Sequence, residues 1–446
     1  MKTLQVLLFI LLSCGMVIPS HAQYNPDEIE ANEKSQLIDS ITSILDVSYV
    51  FPEVALKMNK LLRNNLASGA YNKIKDPQKF AEVLTKEVQS VSNDLHLRIQ
   101  FDPESIARRR NAALSSEDSI AFAKSRLQRN KARNYGFQEV RILDGNIGYL
   151  NLIGFSNVDE EAGATAQSAM NFLGNADALI IDLRQNGGGS PSMIQLITSY
   201  LYGPEPVHLN NFYNRPRDEH TQTWTLPYVP GKRRPDIDVY VLTSQSTFSA
   251  AEEFSYNLRN LERANLIGET TGGGAHPGGT QIVTNRFTIW VPEGRAINPI
   301  TKTNWEGVGV EPHMKVSANE ALEVAQITAL ETILKRNKDK GEDTFGIEWA
   351  LEGLKAAKNQ VAIEEAKLKS YAGNYGPRKL TFKNGKLHYQ REGDNEYVLI
   401  PMTEKRFLIE EIPYFRIEML QEDGKVVAIQ GNYSNGRSDK SLRNGQ

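Results

Sequence analysis

Residues 178–190 read ALIIDLRQNGGGS: an apolar run that reaches Asp182-Leu183-Arg184 and then breaks into Gly187, Gly188 and Gly189. A short, unbroken apolar run closed by a turn signal is the pattern of a strand buried on both faces. Similar runs lie on either side: IGYLNLIGF (147–155), DVYVLTS (238–244), ANLIGE (264–269) and RFTIWVP (286–292). Helix-like stretches separate them, among them GSPSMIQLITSYLYG (189–203) and SAAEEFSYNLRNL (249–261). Strand–helix–strand alternation predicts an α/β domain with a largely buried sheet over 135–317, and the chemistry is expected there.

The flanks have a different texture. Over 23–95 the pattern is helical, and DPQKFAEVLTKEVQSV (76–91) shows it best. Asp76 can cap, Pro77 suits the first helical position, and Phe80, Val83, Leu84, Val88 and Val91 share a face, so an N-terminal helical bundle is expected. Residues 96–134 form a basic connecting segment with Arg108, Arg109, Arg110, Lys124, Arg126, Arg129, Lys131 and Arg133. A solvated helix pair is the main expectation there, and a cationic rim drawing substrate carboxylates the lesser one. Residues 318–369 read as a helical connector and 370–446 as a small antiparallel β-domain. In KLTFKNGKLHYQ (379–390), the Asn384-Gly385 turn would pair Phe382 with Leu387 and Leu380 with Tyr389.

The 446 residues exceed one typical domain. A net charge of -3 gives no global attraction to nucleic acid or to an anionic membrane. Residues 1–22 have the lysine, apolar run and small-residue end (Ser20, Ala22) of a secretory signal peptide, and no transmembrane span is expected. Export to the periplasm or beyond follows, with lipoprotein anchoring through Cys14 as the less favoured route. Cys14 is the one cysteine, so cleavage after Ala22 leaves neither a disulfide framework nor a thiol nucleophile.

The glycine turn at 187–189 lacks the spacing of a nucleotide-binding loop. It suits a plain tight turn or a set of N–H donors for the oxyanion of a tetrahedral intermediate. Ser249 follows DVYVLTS and opens a helix, where the positive helix end favours developing negative charge, and the Ala250 N–H is a second oxyanion candidate. With Glu252 the serine also reads S-x-x-E, a capping box. A serine nucleophile needs a base. Of the histidines, His96 enters an apolar run and His276 lies in a glycine loop; neither belongs to a metal-binding spacing, and no metal or other cofactor is expected.

Three segments, DLRQNGGG (182–189), STFSAAEEF (246–254) with IGETTGGGAHPGG (267–279), and NWEGVGVEPH (304–313), occur in one order. Together they resemble the core of the C-terminal-processing, or tail-specific, serine peptidases, whose fold is of the crotonase/ClpP type. Relatives that use a Ser-Lys dyad carry lysine where this chain has Gly274, and only the short basic segment stands where a PDZ domain would be. The pattern is therefore closer to the branch of the tricorn core protease and interphotoreceptor retinoid-binding protein. The resemblance implies Ser249 as nucleophile, His96 as general base and Glu306 as the acidic partner. It also implies Gly188 and Ala250 as oxyanion donors; relatives often have proline at the place of Gly187, and proline has no N–H. Leu95 stands where a tetrad serine would precede the histidine, so Glu306 would reach His96 directly or through water, or another hydroxyl would serve. His276 is a candidate for substrate binding or structure. The implied function is an exported serine peptidase acting on a peptide or protein. The alternative is a non-catalytic binder of hydrophobic ligands or peptides on the same fold, and an esterase would use the same machinery.

Overall fold

The computed structural model describes residues 28–114, 116–359 and 361–445. The expected leader over 1–22, with Cys14, lies outside them. No helix among the described residues is long and apolar enough to cross a membrane.

Three helices come first: α1 (Ala31–Ser48), α2 (Pro52–Ala67) and α3 (Pro77–Ser92). The start of α3 follows its sequence signals, since the Asp76 carboxylate accepts the Lys79 N–H at 2.8 Å and Pro77 fills a position that needs no donor. It ends where Asn93 turns left-handed, at φ 55°. Strand β1 (Arg98–Phe101) follows, then α4 (Pro103–Leu114) and α5 (Ser116–Ala132), which pack on each other and carry the basic residues apart from Arg133, just past the end of α5.

The central region runs β2 (Phe137–Leu143), β3 (Ile147–Leu152), α6 (Glu160–Phe172), β4 (Ala178–Asp182), α7 (Pro191–Ser199), β5 (His208–Asn214), β6 (Glu219–Trp224), β7 (Asp238–Thr243), α8 (Ala250–Asn260) and β8 (Asn265–Gly268). It continues through β9 (Gly278–Ile282), β10 (Phe287–Pro292), β11 (Gly294–Ile297) and β12 (Met314–Lys315). Six strands form one sheet in the order β12-β8-β7-β4-β3-β2, parallel throughout except for β2 at the edge.

Residues 178–182 explain that sheet. Every residue of β4 is buried, and alternate side chains enter two different cores. Leu179 and Ile181 join α6, α7 and α8 on one face. Ala178 and Ile180 join α9 (Ala321–Lys340) and α10 (Phe345–Lys358) on the other. A strand covered by helices on both sides has no solvated face, which is why its sequence reads as a continuous apolar run.

The run RFTIWVP does not enter this sheet. It becomes β10, the middle of a small sheet ordered β1-β10-β9, and Phe287, Ile289 and Val291 are buried with the helical bundle. Beyond α10 and α11 (Glu365–Tyr371), two antiparallel sheets share a core of their own. Phe382 pairs with Leu387 and Leu380 with Tyr389 around the Asn384-Gly385 turn, in the register the sequence predicts. The protein is a mixed α/β chain with N-terminal helices and C-terminal antiparallel sheets.

Candidate active site

In an open parallel sheet, ligand sites gather beyond the C-terminal ends of the strands. Here the neighbouring strands β4, β7 and β8 end in three loops: the glycine turn, the entry to α8 at Ser249, and the loop 269–277 that carries Gly274 and His276.

The glycine turn is held by Asn186, which has no exposed surface. Its Nδ2 donates to the Leu152 carbonyl at 2.8 Å, its Oδ1 accepts the Gly188 N–H at 2.9 Å, and its carbonyl accepts the Phe248 N–H at 3.0 Å. One residue thus ties the turn to the neighbouring strand through its side chain and to the residue before Ser249 through its carbonyl. Gly188 has φ +108°, and a Cβ there would stand 2.8 Å from Ser249 Cβ and 3.1 Å from Ala250 N. Only glycine lets the two loops approach so closely. The Gly188 N–H, one of the two expected oxyanion donors, is occupied by Asn186. The Ala250 N–H has no acceptor among the described residues, as befits the first turn of a helix.

Ser249 has φ 56° and ψ -120°. For a residue with a side chain this backbone costs about 1–3 kcal/mol, and such strain gathers at functional sites. The neighbouring helix supports it: the Glu252 carboxylate accepts the Ser249 N–H at 2.8 Å. Glu252 does more than the capping pattern suggests. Fully buried, it also accepts from the Thr271 hydroxyl at 2.5 Å, from Gly273 N at 2.6 Å and from Gly274 N at 2.8 Å. Burial pushes its pKa up, and these hydrogen bonds pull the other way. A single carboxylate therefore clamps the 269–277 loop onto the start of α8.

His96 arrives from the other core, on the segment between α3 and β1. Its ring packs against Phe248 (centroids 4.6 Å apart) and stacks on Trp290 (4.9 Å). The structure thus places His96 against the residue preceding Ser249, but no hydrogen bond joins His96 to Ser249. Burial drives its pKa down to about 4, so the imidazole is neutral at pH 7. Its Nδ1 is buried with no hydrogen-bond partner among the described residues, and Asp94 Oδ1 lies 3.9 Å away.

Glu306 stands elsewhere. Its Oε2 accepts the Ala275 N–H at 2.5 Å and lies 3.4 Å from His276 Nδ1. Burial, and then the nearby Asp94, raise its pKa. His276 Nδ1 meets Asp94 Oδ2 at 2.7 Å. The expected acidic partner is therefore set against His276 rather than His96, and Asp94 lies between the two imidazoles. Asp94, His276 and Glu306 are also the group among the described residues whose donor atoms, all within 4.8 Å, could hold a metal ion. His276 Nδ1 is shared between Asp94 Oδ2 and Glu306 Oε2, while Glu306 Oε1 is buried with no hydrogen-bond partner among the described residues. A cleft of about 970 Å³ opens on this side, lined by Phe51, Arg295, Lys302 and Val308 together with His276 and Glu306.

Sequence reasoning missed Asp94, Asn186 and the clamp made by Glu252. Asp94 had a signal, the short D-x-H spacing to His96; Asn186 had none beyond its place before the glycines.

With this geometry, comparison with known proteins becomes specific. The profile of peptidase family S41 matches residues 146–316, the span of the parallel sheet and all three loops. A second profile, described as the N-terminal domain of that family in eukaryotic IRBP, matches residues 31–134, from α1 to the end of α5. The chain carries a peptidase S41 domain preceded by the N-terminal domain of that family. Solved structures overlap it more loosely. A lipoprotein from Streptococcus agalactiae shares 14% identity over 67% of this chain and 96% of its own, with a TM-score of 0.44. The photosystem II D1 C-terminal processing protease shares 13% over 64% and 93%, at 0.39. The tricorn protease shares 13% over 72% of this chain and 37% of its own, at 0.40. The S41 domain supports a peptidase, a hydrolase of peptide bonds, with a peptide or protein as substrate.

Proposed function

We propose that this chain is an exported serine peptidase in which Ser249 is the nucleophile and His96 the general base. The observation that carries the reading is the strained backbone of Ser249 at a strand–turn–helix junction, with Gly188 pressed against its Cβ. That arrangement presents a hydroxyl at the positive end of α8, where negative charge is stabilised.

In this reading Ser249 Oγ attacks the scissile carbonyl as His96 takes its proton. The Ala250 N–H, without an acceptor among the described residues, donates to the oxyanion, and the Gly188 N–H joins it on leaving Asn186 Oδ1. His96 then passes the proton to the leaving amine, and water releases the acyl group from Ser249. Glu306 serves one step removed from His96. Export rests on the leader-like residues 1–22. His276 and Glu306 face the cleft, which suits them to contact with the substrate chain.

A non-catalytic binder of hydrophobic ligands or peptides is the second reading, and the missing Ser249–His96 hydrogen bond favours it. Loose apo geometry is common at catalytic sites, so reactivity has to decide. The test is covalent labelling of the full chain by a serine-directed phosphonate. Labelling in wild type, lost in Ser249→Ala and in His96→Ala, is the expected result. Label that persists in Ser249→Ala sinks the mechanism, and an inert wild type turns the reading to the binder.

A further inference from the structure

A base that accepts a proton becomes an imidazolium, and a serine mechanism needs a carboxylate to hold the ring and stabilise that charge. His96 has a buried Nδ1 without an acceptor, and Glu306 is engaged by His276 and Ala275. Asp94 is the acid whose charge acts on His96. It has no exposed surface, and both its oxygens are directed: Oδ1 accepts the His96 backbone N–H at 3.0 Å, and Oδ2 meets His276 Nδ1 at 2.7 Å. Oδ1 also lies 3.9 Å from His96 Nδ1, about 1 Å beyond hydrogen-bond distance. A buried carboxylate with no partner would be costly, and the second imidazole supplies the partner on the far side.

We propose that Asp94 is the carboxylate that orients His96, and that His276 is a positioning residue that holds Asp94 in that posture. This rests on the reading of Ser249 and His96 as nucleophile and base. Glu306, 3.4 Å from His276 Nδ1, then acts on His96 through His276 and Asp94 rather than by contact. The other titratable or charged groups facing the array include Tyr49, Arg98 and Glu252, with Arg295 and Lys302 on the cleft wall beside His276 and Glu306.

The test is the phosphonate labelling rate of the full chain against pH, with thermal melting as a control for folding. In Asp94→Asn the rate is expected to fall on the order of 10²-fold or more. The acid limb should also move to lower pH by about 1, because the carboxylate that favours the imidazolium is gone. A purely structural role for Asp94 would leave that limb in place. His276→Leu removes the donor to Asp94 Oδ2 and should slow labelling on the order of tenfold. His276→Asn, whose amide N–H reaches toward the place of Nδ1, should recover most of the rate. The inference is overturned if labelling depends on Ser249 and His96 while Asp94→Asn reacts like wild type across the pH range. Should Asp94→Asn fail to fold, the His276 pair decides: equal rates in the Leu and Asn variants overturn it. Failure of the underlying reading looks different, because then wild type itself does not label or Ser249→Ala still does.

Discussion

Gly274 marks where Ser-Lys relatives carry their lysine, and the structure shows why that residue cannot simply be exchanged here. A Cβ at Gly274 would stand 2.3 Å from Phe248 Cζ and 2.6 Å from His96 Cε1. Carbon contacts settle near 3.5–4.0 Å, so in Gly274→Ala one or both rings must retreat by about 1 Å. The loop has little freedom to retreat instead, since Glu252 accepts the Gly274 N–H at 2.8 Å and Trp305 Nε1 donates to the Gly274 carbonyl at 2.8 Å. The overpacking should cost about 1–3 kcal/mol of stability. Its effect on chemistry should be larger, because a base displaced by about 1 Å loses on the order of 10²-fold in rate. The assay is the second-order rate of phosphonate labelling beside a melting curve. A labelling loss of that size with a melting point lowered by only a few degrees is the expected pair. Gly274→Ala reacting within about twofold of wild type would refute the placement of His96 against Phe248 as the reactive geometry.

Two further outcomes follow from the buried acids of α8. Glu252→Gln replaces a pure acceptor by an amide whose NH₂ must face the N–H and O–H donors of Ser249, Thr271, Gly273 and Gly274. Chemical denaturation should show a loss of about 1–3 kcal/mol, and labelling should slow with it; unchanged values for both would mean that the clamp is not formed in solution. Glu253 is buried, and burial raises its pKa from the ordinary 4.5 to about 7. Its proton is held more tightly in the fold than in the unfolded chain, so this stabilising contribution is complete below pH 4.5 and is lost as pH rises through 7. Relative to wild type, Glu253→Gln should gain stability progressively over that window, by about 3 kcal/mol at its upper end. A difference between the two proteins that does not change with pH would count against it.

How much of this was legible beforehand depended on whether the cause was local. β4 announced itself because a strand buried on both faces must be apolar at every position, and the Asn384-Gly385 hairpin because its turn dictates its register. Ser249 was legible as a residue, but not its φ of 56°, which comes from loops packed against it rather than from its neighbours in sequence. RFTIWVP has the composition of any buried strand. Nothing local tells it to leave the parallel sheet and pair with β1, some 190 residues away. Glu306 illustrates the same limit at the site. Family resemblance made it the acidic partner of His96, and the structure sets it against His276 instead, with Asp94 between the two rings.

The pairing of β1 with β10 is what makes a single site out of two cores. Arg98 lies opposite Trp290 and Ile99 opposite Ile289, so His96, two residues upstream, falls over the Trp290 ring. Ile99, Phe287, Ile289 and Val291 are buried among the helices of the bundle, and a slip of one residue would turn Ile99 to the opposite face. The register is therefore fixed by apolar burial that has nothing to do with chemistry, and His96 inherits its position from it. Ser249 inherits its own from the parallel sheet, through the end of β7. The two meet only because the loop between β8 and β9 belongs to both cores: Glu252 ties its first half to α8, and His276, near its end, reaches Asp94 beside β1. Losing the β1–β10 pairing would carry His96 and Asp94 away together while leaving the parallel sheet its own core, so on this geometry reactivity depends on the bundle even though every other reacting group lies outside it.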